Sequence, residues 1–215
     1  MCNPGVVPIV LTHARALLTG TPAGRTAYLD ADVRDVKRIL TAPEIVDTLD
    51  LSRPVALSLL AVGHFLPDSD DPGGIVRRLV DALPAGSYLV LSHLAPDHDP
   101  SIEAGAKAYR ARGIPLRPRT RAEVEALFDG LELLDPGLVS VHRWRPDAAV
   151  PADLTDAQVS AYGAIGRKPS PSSPSHRGPL SALANDSIDL DAVADEAPGL
   201  SLPIWRVLRL IYPSG

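Results

Sequence analysis

The stretch RPVALSLLAVGHF, residues 53–65, decides the fold that the sequence predicts. From Val55 to Val62 every residue is apolar or small except Ser58, which is typical of a strand buried on both faces in a parallel sheet. A polar loop, PDSDDPGG, follows shortly after His64. Because open α/β sheets bind ligands at the carboxyl ends of their strands, we expect a central strand here and a functional site near His64.

The composition of the chain excludes several classes of protein. The 215 residues are 45% hydrophobic but only 4% aromatic, so aliphatic side chains must form the core. The formal net charge is −5 and no basic stripe is interleaved with aromatic residues, which argues against nucleic acid as a partner. The single cysteine, Cys2, excludes an intramolecular disulfide bond. We find neither a secretory signal nor about 18 consecutive apolar residues, and therefore expect a cytoplasmic protein with no membrane partner.

Three elements are predicted before the central strand. Apolar spacing predicts a helix over residues 8–18, and residues 26–29 form a short strand that ends in the acid-rich run DADVRD. Residues 36–49 are expected to form a helix that is interrupted near Pro43, because proline fits poorly inside a continuous helix.

The segment after the central strand predicts a crossover to a second parallel strand. Asp71 is a good N-cap and Pro72 a good first residue for a helix that extends to Leu83. The apolar run SYLVLS, residues 87–92, then predicts a strand. A helix between two such strands is the usual connection of a parallel pair.

The later part of the domain predicts two helices and three short strands. One helix is expected over residues 100–112, and a capping box from Thr120 to Glu123 begins the other. The strands follow without long helices between them, which predicts antiparallel additions to the sheet. They are expected at residues 131–134, 138–144 and 161–165.

A change of composition divides the chain into a domain, residues 1–168, and a tail, residues 169–215. The tail begins with the serine- and proline-rich run KPSPSSPSHRGP and continues with acids, so we expect it to be disordered. Its apolar end, residues 200–212, is a docking segment, a piece that packs back on the domain, or sequence without a selected role.

Five stretches of the domain resemble the actinobacterial S-adenosyl methyltransferase family, whose substrates are mostly unassigned. They read HARALLTGTPAGRTAYLDADVRD, LDLSRPVALSLLAVGHFLPDSDDP, LPAGSYLVLSH, FDGLELLDPGLVSVHRWRPD and AYGAIGRK. The resemblance extends over residues 8–168. It implies a Rossmann-like class I methyltransferase fold, with a mostly parallel sheet, antiparallel carboxyl-terminal strands, and S-adenosylmethionine bound at the carboxyl edge.

The resemblance also implies cofactor contacts in the acid-rich run. Matched to the family's acidic loop, Asp32 would accept a hydrogen bond from the adenine amino group, and the backbone of Val33 would contact the ring. A carboxylate is a suitable acceptor for an exocyclic amine. The alternative is that Asp32 only caps a turn or pairs with Arg34.

At the end of the central strand, the resemblance places Leu60 and Ala61 beside the methionine part of the cofactor. His64 and Phe65 would then face the methyl group or its acceptor, and His64 is the candidate catalytic residue. It could orient the acceptor or remove a proton, since an imidazole titrates near neutral pH. The alternative is a structural His64, because methyl transfer mainly requires alignment of the reactants. His93 is a weaker candidate, and the histidine spacing predicts no metal site.

The sequence departs from the family in one respect. Family members carry a first strand with a glycine-rich loop and a second strand ending in acids, and neither is found in these residues. The resemblance therefore implies a sheet that lacks its first two strands and an incomplete cofactor site. The strand at residues 26–29 would then pair directly with the central strand, or the central strand would keep an exposed edge that favours self-association.

Two functions follow from the sequence. The first is an S-adenosylmethionine-dependent methyltransferase that acts on an unknown small-molecule acceptor. The alternative is a catalytically inactive Rossmann-like module that acts through protein-protein contacts, which the missing glycine-rich loop favours.

Overall fold

The computed structural model of the protein describes residues 26–146 and 150–170. The predicted helix at residues 8–18, the predicted lack of two strands and the predicted tail after residue 170 lie outside these residues. Residues 26–29 are described, and no strand forms there. The prediction of a strand was wrong because the apolar side chain of Leu29 packs against the core, half-buried, without pairing its backbone in the sheet.

The acid-rich run leads into two short helices. Helix α1, Val36–Thr41, begins at Asp35, whose carboxylate accepts a hydrogen bond from the backbone N–H of Arg38. Helix α2, Pro43–Val46, starts at the proline. The predicted interruption near Pro43 is therefore confirmed.

The two apolar runs form a parallel pair of strands, as predicted. Strand β1, Ala56–Leu60, pairs with strand β2, Tyr88–Leu94. Helix α3, Pro72–Asp81, connects them, and the side chain of its N-cap Asp71 accepts from the N–H of Gly74 at 3.0 Å.

Helices α4, Ser101–Arg110, and α5, Arg121–Glu125, follow β2. The predicted capping box is present, since the side chains of Thr120 and Glu123 each bond to the other's backbone N–H. A 3₁₀ turn, Ala126–Phe128, extends α5.

Three antiparallel strands complete the sheet. They are β3, Glu132–Leu133, β4, Val139–Ser140, and β5, Ala161–Arg167, and the short helix α6, Asp156–Val159, precedes β5. Strand β5 lies beside β2, and β3 and β4 both pair with β5. The predicted antiparallel additions are confirmed, but β4 is shorter than expected because the chain turns into a 3₁₀ segment, Val141–Arg143.

Strand β1 is the edge strand of the described sheet, whose order is β1-β2-β5-β3. The predicted central position is therefore not observed, and no described residue pairs with its outer edge. Both faces of β1 are nevertheless covered, because the consecutive residues Leu57, Ser58 and Leu59 are all buried. The core lies between the sheet and helices α1, α3 and α5, and its most buried members include Ile39, Ile75, Leu79, Leu89, Leu91 and Val124. No helix in the described part of the chain is long and apolar enough to cross a membrane.

Candidate functional site

The chain turns sharply at the carboxyl end of β1. Ala61 has a positive φ of 56°, and its N–H donates to Ser92 Oγ at 3.0 Å, at the end of the neighbouring strand. A 3₁₀ turn, Gly63–Phe65, follows. The turn leaves Leu60 47% exposed at the end of an otherwise buried strand. Leu60 and Ala61 therefore present an apolar surface at the edge where a ligand was predicted.

His64 lies in this turn, half-buried, with a defined ring state. Its Nδ1 accepts from the backbone N–H of Leu94 at 3.3 Å, so the neutral ring carries its proton on Nε2. The ring lies edge-on to that of His93, with centroids 5.5 Å apart, and contacts Phe65. Burial, and secondarily the positive charge of Arg119, lower the pKa of His64 to about 4. His64 is therefore neutral at pH 7 and a weak base.

His93 is buried at the carboxyl end of β2, and its ring is held on both sides. Its Nδ1 lies 2.8 Å from the carbonyl oxygen of Leu94, which can only accept, so Nδ1 carries the proton. Its Nε2 accordingly accepts from Arg119 Nη1 at 3.1 Å. Burial is the main cause that lowers the pKa of His93 to about 4. The sequence marked His93 only as a weak catalytic candidate. Because both of its ring nitrogens are bonded within the protein, its role is structural.

Arg119 is the buried cation of the site and comes from the connector between α4 and α5. Its guanidinium donates to the carbonyl oxygens of Gly63 and Leu66 at 3.1 and 2.9 Å, and to Asp68 Oδ1 at 2.7 Å. Together with the bond to His93, these contacts join the loop after β1 to the end of β2. The hydrogen bond from Arg119 is the main reason why the pKa of Asp68 is lowered.

The acid-rich run lies against the same loop. Arg34 donates from its backbone N–H and from Nε to Asp32 Oδ1, both at 2.9 Å, and Nη2 binds Oδ2. Its Nη1 reaches Asp70 Oδ2 at 3.1 Å. The side-chain bond from Arg34 is the largest cause that lowers the pKa of Asp32. Arg34 therefore joins the acid-rich run to the segment that follows the 3₁₀ turn, and the pairing of Asp32 with Arg34, the alternative left open by the sequence, is present.

Known proteins are similar to this chain in sequence and in structure. The sequence matches the S-adenosyl methyltransferase family over residues 6–169. The chain belongs to this family. S-adenosylmethionine is the cofactor of the family.

Two solved structures are similar to this methyltransferase-family chain in both sequence and fold. A DUF574 family protein from Streptomyces avermitilis is 52% identical, with a TM-score of 0.72, and the match covers 75% of this chain and 62% of that one. A protein from Thermobifida fusca, described as a candidate methyltransferase, is 37% identical, with a TM-score of 0.68 and coverages of 76% and 60%. The predicted actinobacterial family and Rossmann-like fold class are confirmed.

The family member described here spans less than two thirds of the length of either similar structure. No curated protein is similar enough to the chain to count as a match.

Asp32 and Val33 lie on the loop that Arg34 joins to Asp70, in the segment that follows the 3₁₀ turn at the end of β1. Each carboxylate oxygen has two lone pairs, and Oδ2 of Asp32 uses one of them for the bond from Arg34. The exposed Leu60 offers an apolar contact. Across the described ranges, no three His, Cys, Asp or Glu side chains are placed to hold a metal ion.

Sequence reasoning missed the contribution of Arg119. The run IPLRPRTR reads as a solvated, arginine-rich connector, and nothing in its spacing marks one arginine as buried. A weak signal was available in the two acid-rich runs, DADVRD and PDSDDP, which together require neighbouring cations. Arg34 pairs with an acid of each run, and Arg119 pairs with Asp68 of the second.

Proposed function

We propose that this chain takes part in methyl transfer from S-adenosylmethionine to a small-molecule acceptor, with the donor across the carboxyl ends of β1 and β2. The observation that supports it best is the bridge from Arg34 to Asp32 and Asp70. The bridge joins the loop assigned to adenine to Asp70, in the segment that follows the residues assigned to the methyl group. The two segments lie far apart in the sequence.

In this proposal, Asp32 accepts from the adenine amino group and the backbone of Val33 contacts the ring. Leu60 and Ala61 pack against the methionine portion, and Phe65 lies on the acceptor side. When bound, the cofactor supplies a methyl group on a positively charged sulfur. The exposed apolar surface at Leu60 and the carboxylate at Asp32 support these roles.

His64 orients the acceptor in this proposal and does not act as its base. Its Nδ1 is occupied by the N–H of Leu94, which leaves Nε2–H as the ring's donor. Its pKa of about 4 makes proton removal at neutral pH inefficient. An N–H donor that positions the acceptor's lone pair is sufficient, because alignment supplies most of the rate in such a displacement.

The 215 residues contain no G-x-G-x-x-G run, and such a loop lets backbone approach a ligand closely. We therefore propose that the chain by itself binds the cofactor weakly. The alternative function is an inactive module that acts through protein contacts. Its support is the outer edge of β1, which no described residue covers with a strand.

A thermal-shift titration with S-adenosylmethionine and S-adenosylhomocysteine separates the two functions. A ligand that binds only the native state raises the apparent melting temperature as its concentration increases. The proposal predicts such a rise, and predicts that Leu60→Asp abolishes it. Val46→Asp is the matched control, because Val46 is an exposed apolar residue on α2, 57% exposed against 47% for Leu60.

The outcome that contradicts the proposal is a melting temperature that neither ligand changes at millimolar concentration. If the same protein also forms dimers as its concentration rises, and Leu60→Asp prevents them, the protein-contact function is favoured.

A further inference from the structure

The strongest unassigned feature of the site is the buried guanidinium of Arg119, whose side chain is only 4% exposed. An arginine in the interior is retained where its donors are satisfied, because an unpaired buried charge is strongly unfavourable. Four acceptors surround this one, two of them backbone carbonyls of a single loop. Its contacts therefore define the path of that loop.

The loop in question carries the residues nearest the proposed methyl-transfer position. Arg119 binds the carbonyl of Gly63 before His64, and the carbonyl of Leu66 after it. A second contact comes from the same connector, where the N–H of Arg117 donates to the carbonyl oxygen of His64 at 2.7 Å. The backbone on both sides of the His64 ring is thus fixed by the connector.

Arg119 also holds the neighbouring ring of His93. Its Nη1 donates to Nε2 of His93, which leaves the His93 proton on Nδ1, facing the carbonyl of Leu94. The N–H of the same Leu94 donates to Nδ1 of His64. A chain of hydrogen bonds therefore runs from Arg119 through His93 and Leu94 to His64, and it leaves Nε2–H of His64 as a donor.

We propose that Arg119 is a positioning residue of the methyl-transfer site, which fixes the loop after β1 and holds the His93 ring that lies against His64. This inference rests on the proposed function. Arg119 touches neither donor nor acceptor in the arrangement proposed here. Its effect on binding passes through the loop and the two rings.

The test compares three single substitutions in the full chain. Arg119→Met removes the donors but keeps the side-chain length, and Arg119→Lys keeps the charge with fewer, differently arranged donors. Arg112→Met is the matched control, because Arg112 is exposed near the end of α4. Nitrogen-15 spectra of the imidazole rings at pH 7 report which nitrogen carries each proton, and calorimetry measures the affinity for S-adenosylhomocysteine.

In Arg119→Met we expect the nitrogen-15 shift of His93 Nε2 to move towards that of an acceptor without a donor, while Nδ1 keeps its proton on the carbonyl of Leu94. We expect the affinity for S-adenosylhomocysteine to fall about tenfold, as for a lost hydrogen bond to a charged group. Arg119→Lys should give intermediate values, and Arg112→Met should match the unmodified chain. A folded Arg119→Met protein with an unchanged Nε2 shift or unchanged affinity would overturn the proposal.

Two further comparisons keep the result interpretable. If Arg119→Met does not fold, Asp68→Asn replaces it, because the Asp68 side chain is 65% exposed and the substitution removes only one charged acceptor. A smaller loss of affinity is then expected for Asp68→Asn. The proposal is overturned if both Asp68→Asn and Arg119→Lys bind S-adenosylhomocysteine as tightly as the unmodified chain. If the unmodified chain gives no heat with S-adenosylhomocysteine, the proposed function fails, and the nitrogen-15 shift of His93 Nε2 alone decides whether Arg119 holds the ring.

Discussion

Two arginine-aspartate pairs hold the two sides of the proposed site, and they differ in burial. The Arg119 side chain is 4% exposed and reaches two backbone carbonyls and a histidine besides its aspartate. The Arg34 side chain is 45% exposed, and it binds the carboxylates of Asp32 and Asp70. An arginine-aspartate pair therefore fixes a buried loop on one side of the site and forms a solvent-screened contact on the other.

The comparison shows that burial decides what such a pair contributes. Exposed ion pairs contribute about 0–1 kcal/mol, because water and salt screen them and the side chains lose entropy. A buried donor leaves unsatisfied carbonyls behind when it is removed, and each costs about 1–3 kcal/mol. Substitutions on the Arg119 side should thus destabilise the protein more than those on the Arg34 side.

Acidification should give the largest effect on stability. The buried side and the exposed side of the site should lose stability in different pH ranges. Folding lowers the pKa of His64 and His93 from 6.5 to about 4, so between these values the unfolded chain binds more protons. Stability is therefore fully present above about pH 6.5 and is lost as the pH falls towards 4. One such shift corresponds to a loss on the order of 3 kcal/mol, and the two coupled rings do not add in full.

Urea denaturation at intervals from pH 7 to pH 4 measures this loss. His93→Gln should reduce the slope. Asp32→Asn should not, because the lowered pKa of the Asp32 carboxyl confines its contribution to pH values near and below 3.8. An unchanged slope in His93→Gln contradicts the assignment of the buried side.

The second prediction removes the buried cation. Arg119→Met should lower the free energy of unfolding by about 1–3 kcal/mol, because the buried carbonyl of Leu66 loses its donor, whereas the carbonyl of Gly63 keeps the N–H of Leu66. Chemical denaturation at pH 7 measures the change. A loss below about 1 kcal/mol would place Arg119 with the exposed pairs.

The third prediction tests how tightly the buried loop is packed. A Cβ at Gly63 would lie 2.9 Å from Cδ2 of His93, a ring that Arg119 holds in place. Gly63→Ala should therefore destabilise the protein by about 1–3 kcal/mol. Gly73→Ala is the control, because nothing lies within 4 Å of its Cβ position on helix α3 and alanine favours a helix. Equal melting temperatures for the two variants would argue against the close packing.

The smallest effect is expected on the exposed side. Arg34→Met should change the free energy of unfolding by no more than about 1 kcal/mol, and 1 M salt should remove most of the difference. Thermal melts at low and high salt measure it. A large, salt-independent loss would show that the bridge to Asp32 and Asp70 is not a screened surface contact.

Local signals in the sequence predicted most of the elements. Asp71 and Pro72 begin α3, the pair Thr120 and Glu123 begins α5, and Pro43 separates α1 from α2. Each of these depends on neighbours within a few residues along the chain. Such signals predict the start of a helix well, because the backbone groups whose hydrogen bonds they satisfy lie in the same segment.

Features that depend on distant partners were predicted less well. Residues 26–29 have a strand-like composition, but a strand requires a partner that the sequence does not identify, and Leu29 packs on the core instead. The resemblance placed Asp32 near the end of β1, whereas its bond to Arg34 was only an alternative. The burial of Arg119 could not be predicted, because its acceptors at residues 63–68 and 93 lie far from it in sequence.

The central claim, that the cofactor lies across the carboxyl end of β1, is tested most directly by mapping backbone amide shifts during a titration with S-adenosylmethionine. The account predicts saturable shifts at residues 32–34 and 60–65. It predicts none at Ser87 and Lys168, whose backbones pair at the opposite end of the strands, where β2 begins. An absence of shifts at the first group, or shifts concentrated around Ser87 and Lys168, would contradict it.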